Sequence, residues 1–121
     1  MATLDVSRFS LSATQRVVEI LRPWLLLIVY VAISESGHPL LALPVALATC
    51  LAAFVQMHDS IHESLGLSKR GHSLVLTVSA QLLLKSGHAL KATHLRHHGK
   101  CLGGDDPEGA PAHWSLGRVL F

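Results

Sequence analysis

Nine of the 121 residues are histidine, and five of the nine fall into two tight clusters. In His58-Asp59-Ser60-Ile61-His62 two imidazoles stand four positions apart, so on a helix they share one face and can address one ion. His94-Leu95-Arg96-His97-His98 repeats the logic, with His97 and His98 three and four positions after His94. His97 and His98 diverge by about 100° around a helix, which lets them serve different ions. Neutral imidazole suits zinc, copper, iron and nickel alike. Structural zinc would normally recruit thiolates, yet Cys101, three residues after His98, has no second cysteine nearby. A metalloprotease helix would read H-E-x-x-H, whereas Asp59 follows His58. More than four imidazoles from two separated segments imply more than one ion, or an ion number that only further ligands settle, and a di-metal site is the economical reading. Two irons can bind and split dioxygen, which zinc cannot do by redox chemistry.

The elements that must position these clusters read as membrane helices. Half the residues are hydrophobic and only 15% are charged, and no Lys or Arg occurs from Pro23 to Ser68. The run Pro23 to Ile33 is apolar but falls short of the roughly 17 to 25 residues that a span needs. Val17 to Arg22 would have to contribute, with Arg22 snorkelling to the headgroups. Ser34 to Pro39 is a turn by composition, and a second run, Leu40 to Val55, follows at once. The expectation is therefore an all-α fold in a single domain over 1–121. It consists of a tail over 1–22, a membrane helical hairpin with spans at about 23–36 and 39–57, and a His-rich region over 58–121. Within that region Ser73 to Leu84 reads as an interfacial or re-entrant helix, followed by a helix bearing the second cluster. Arg8, Arg16 and Arg22 precede the hairpin and Lys69 and Arg70 follow it, while its loop has no cation. The positive-inside rule then places the N-terminus and both clusters in the cytoplasm. A cleavable signal peptide is the competing account of the first run.

The remaining features are less directive. The tail reads either as a segment lying on the membrane surface or as a floppy terminus. Cys50 and Cys101 form no disulfide framework and are read as reduced. The basic residues make no stripe interleaved with aromatics, which argues against nucleic acid as a partner. Asp105-Asp106-Pro107-Glu108 reads as a solvated acidic turn in preference to a metal site. Trp114 to Phe121 has the composition of another helix opening. His38 falls on the opposite membrane side and His72 in a linker, so neither is assigned, and His88 and His113 stand outside the clusters.

His58-Asp59-Ser60-Ile61-His62-Glu63-Ser64-Leu65 resembles the first histidine box of the membrane fatty acid desaturases, and Thr93-His94-Leu95-Arg96-His97-His98 resembles their second. The similarity runs from about Leu40 to Glu108. Its motifs are specific for the superfamily and not within it, because carotenoid hydroxylases and ketolases and alkane hydroxylases are similar. The resemblance implies an all-helical oxidoreductase holding two irons at the cytoplasmic face. It would insert a double bond or a hydroxyl into a lipid or fatty acyl chain with O2 as co-substrate. Electrons would come from a donor of the ferredoxin, rubredoxin or cytochrome b5 type. On that analogy His58, His62, His94, His97 and His98 are the metal ligands, and Asp59 and Glu63 orient imidazoles from behind. Lys91 and Arg96 either meet an acidic head group or donor or mark the cytoplasmic face. The family pattern also implies a third histidine box and a further pair of spans, so the sequence is read as the amino-terminal part of such an enzyme. The alternative is a truncated, non-catalytic membrane protein that uses its histidines for metal or haem.

Overall fold

The computed structural model describes residues 11–101, 103–109, 114, 115, 117 and 118. The first ten residues of the expected surface tail, His113, and most of the expected closing helix lie outside that set. Among the described residues the fold is all-α, with no strand. The helices are α1 (Ala13–Glu35), α2 (Pro39–Ile61), α3 (Lys69–Leu82) and α4 (Gly87–Lys100). The chain divides into two compact units, Met1–Gly87 and His88–Phe121.

In the first unit, α1 begins ten residues before the apolar run. Ser12 and Gln15 form a capping box: the Ser12 hydroxyl accepts the Gln15 N–H at 3.2 Å, and the Gln15 side-chain oxygen accepts the Ser12 N–H at 2.9 Å. The charges that interrupt the apolar pattern here are partly self-compensated, since Arg22 pairs with Glu19 at 2.8 Å. The helix therefore takes in Val17 to Arg22 and reaches 23 residues, or about 35 Å. With α2, also of 23 residues, it makes two helices long and apolar enough to cross a membrane. Both turn large apolar side chains outward, among them Ile28, Leu40, Leu47 and Phe54. The buried face of α2 is built from small residues, including Ala42, Thr49, Ala52, Ala53 and Ser60, which permit close approach of a neighbouring backbone.

Pro23 lies inside α1 and supplies no N–H, so the carbonyl of Glu19, four residues earlier, loses its helical donor. Gln56 on α2 replaces it. Its Nε2 donates to the carbonyls of Glu19 and Ile20, both at 2.8 Å, while its Oε1 accepts the Ser79 hydroxyl of α3 at 2.6 Å. Gln56 is buried, and all three helices meet at this one amide.

The loop between α1 and α2 is Ser36, Gly37 and His38, with Gly37 at φ 83° and Pro39 opening α2 at a position where a missing N–H costs nothing. Both α2 and α3 end in Schellman motifs whose left-handed residue is not glycine. After α2, Ser64 donates to the Asp59 carbonyl and Glu63 to that of Ser60, with Glu63 at φ 56°. After α3, Lys85 donates to Ala80 and Leu84 to Gln81, with Leu84 at φ 53°.

α3 starts earlier than its apolar pattern suggests, because the Ser68 hydroxyl accepts the Gly71 N–H and caps it. His72 is consequently not in a linker. It sits in the first turn of α3, buried, with Nε2 accepting the Leu67 N–H at 3.2 Å. It shapes the turn leading into α3.

Candidate metal-binding site

The first histidine cluster occupies a helix end. His58 is in the last turn of α2 and His62 is its C-cap residue, with ring centroids 4.6 Å apart and planes tilted by 53°. One face carries both rings because they are four residues apart, and the negative end of the helix dipole lies beside them. Asp59 approaches His58 with 3.7 Å between Oδ1 and Nδ1, within ion-pair range and beyond a hydrogen bond. Glu63 contributes its backbone to the Schellman turn directly after His62.

The second cluster lies on α4. His94 and His98 stand edge to face with centroids 4.7 Å apart, and their Nε2 atoms approach to 3.1 Å. That separation is what two nitrogens about 2.0–2.1 Å from a common ion would show at an angle of roughly 95–100°. His97 lies 6.1 Å from His94 and 5.7 Å from His98, centroid to centroid, turned away as its position around the helix requires.

The chain after α4 folds back onto these rings. Gly103 donates to the Lys100 carbonyl and Asp106 to the Gly103 carbonyl, and the turn so formed delivers two carboxylates. Asp106 lies 2.8 and 2.9 Å from His97 Nδ1 through its two oxygens, and Oδ1 also accepts the Glu108 N–H at 2.9 Å. Glu108 Oε2 lies 3.0 Å from His94 Nδ1. A Cβ at Gly109 would overlap the Asp106 carboxylate, so the turn needs glycine there. The solvated reading of this acidic turn holds for Asp105, which pairs on the surface with Lys100 at 3.1 Å and Arg96 at 3.8 Å. It fails for Asp106, whose side chain is fully buried. Composition pointed to a loop, and a loop it is. The missed signal was an acidic pair flanking Pro107 within ten residues of a histidine cluster.

His58 with His62 at the end of α2, and His94 with His98 on α4, thus form two pairs of imidazoles, each able to offer two ring nitrogens to a metal ion. The donors are imidazoles, two rings of α4 are backed by carboxylates, and this set fits a borderline divalent metal. His38 is exposed in the α1–α2 loop, with Nδ1 at 3.0 Å from the Ser36 carbonyl, and His88 is exposed near the start of α4. No family model, no curated protein and no solved structure matches the chain.

Proposed function

We propose that the chain provides the histidine clusters of a membrane-bound di-iron oxidoreductase of the fatty acid desaturase type, which inserts a double bond or a hydroxyl into a lipid chain with O2. The observation that carries this reading is the α4 cluster, with two Nε2 atoms 3.1 Å apart and carboxylates against the Nδ1 atoms of His94 and His97. Spanning-length helices in the same chain supply the reason for a lipid substrate. His58, His62, His94, His97 and His98 would hold the irons, and Asp59 and Glu63, beside the first cluster, would help to orient its rings. Bound iron would supply the redox capacity to oxidise an unactivated methylene with dioxygen. The chain's own residues bind, orient and shield. Neutral rings donate lone pairs, Asp106 and Glu108 fix ring orientation, and the outward apolar faces of α1 and α2 are wetted by acyl chains in place of water. The basic flanks of the hairpin support a cytoplasmic position for the histidines, where a donor of the ferredoxin, rubredoxin or cytochrome b5 type could reach them.

Metal analysis of the full-length protein purified in detergent tests the reading. Two irons per chain support it, and stoichiometric zinc without iron defeats it. His97→Ala should lower the iron content, and unchanged iron would remove His97 from the ligand set.

A carotenoid or alkane hydroxylase of the same superfamily would share this metal site and differ in substrate. The second reading, a non-catalytic membrane protein binding zinc or haem, is favoured by donors that suit those groups as well as iron. It predicts stoichiometric zinc or a haem absorption band in the purified protein, with no oxygen consumption on reduction.

A further inference from the structure

The hydrogen bonds of α4 and its returning loop assign protons to individual ring nitrogens. An ionised carboxylate can only accept, so a neutral ring bonded through Nδ1 to a carboxylate carries its proton on Nδ1 and its lone pair on Nε2. This applies to His97, held by Asp106 at 2.8 Å, and to His94, held by Glu108 at 3.0 Å. His98 must then be the opposite tautomer. Its Nε2 lies 3.1 Å from a His94 Nε2 that has no proton to give, so His98 is the donor of that bond.

We infer that Asp106 and Glu108 are positioning residues that pre-set His97 and His94 as Nε2 ligands, and that His98 joins them through Nε2 once its proton has moved from Nε2 to Nδ1. Asp106 is the stronger device. Its side chain is fully buried, its Oδ1 is anchored by the Glu108 N–H, and Gly109 leaves its carboxylate room, whereas the Glu108 side chain is about one-third exposed. The consequence for metal uptake rests on the metal-centre reading above, but the tautomer assignment does not.

Long-range ¹H–¹⁵N correlation spectra of the metal-free full chain in detergent micelles at pH 8, assigned with single His→Gln variants, read the tautomers directly. Protons on Nδ1 of His94 and His97 and on Nε2 of His98 are expected. Asp106→Ala should release His97, and Glu108→Ala should release His94 and with it the His98 bond. A proton on Nε2 of His97 in the unaltered chain overturns the inference, and that spectrum needs no variant to fold. In parallel, cobalt(II) titration followed by its visible absorption should show Asp106→Ala weakening uptake by about 10–100-fold, with a smaller loss for Glu108→Ala. Uptake unaltered by Asp106→Ala overturns the positioning role while leaving the metal centre intact. The expected tautomers with no metal uptake at all support the assignment and overturn the metal-centre reading.

Discussion

Leu84 and Glu63 each hold the left-handed position after a helix, where a side chain crowds its own backbone and glycine does not. Leu84 is 95% exposed, so its side chain gains almost nothing from packing to offset that strain. Leu84→Gly is therefore expected to stabilise the first unit by about 1 kcal/mol, measured by SDS-induced unfolding in mixed micelles. The same replacement of Glu63, beside the first histidine cluster, should gain less, because its carboxylate is lost with the strain. Gly109→Ala works in the other direction. Its methyl would displace the Asp106 carboxylate from His97, and cobalt(II) affinity should fall towards that of Asp106→Ala while the unfolding of α1 to α3 is unchanged. At this scale the histidine pairs were legible because helical periodicity fixes which rings share a face. Asp106 and Glu108 were not, since their aim is set by a chain reversal stabilised by local backbone hydrogen bonds, which no periodic pattern encodes. His72 escaped for a related reason: its role depends on where the Ser68 cap starts α3.

The four helices were legible as elements, and their boundaries were less so. The apolar count broke at Arg16, Glu19 and Arg22 and resumed at Pro23, which reads as a helix start when it lies mid-helix. A proline is tolerated there because a side chain thirty-seven residues away satisfies the carbonyl it strands. Gln56→Leu should cost about 1–3 kcal/mol, since it leaves the Glu19 acceptor unpaired in an apolar setting and deprives Ser79 of its partner. Pro23→Ala returns a backbone donor to Glu19. The double variant Pro23→Ala/Gln56→Leu should accordingly lose less than Gln56→Leu alone, and equal losses would show that the amide matters for some other reason. Micelle unfolding of the four proteins completes the cycle.

For the molecule as a whole, two helices are long and apolar enough to cross a membrane and turn Leu, Ile, Val and Phe outward, and the orientation proposed above from the distribution of Lys and Arg is open to direct test. With Cys50 replaced by Ala, the remaining Cys101 should react with an impermeant maleimide only after the membrane is opened, whereas a cysteine placed at Ser36 should react in intact cells. The opposite pattern would reverse the orientation. The tie between Gln56 and the carbonyls of Glu19 and Ile20 also has a bearing on biosynthesis. A nascent chain that has emerged only as far as α1 carries an unanswered carbonyl at the level of Glu19, and the amide that answers it is still inside the ribosome. If the hairpin is inserted into a bilayer, the first helix is thus poorly suited to leave the translocation channel by itself. On the proposed membrane reading, its successor supplies the missing donor, so the two helices would enter lipid together as one antiparallel wedge.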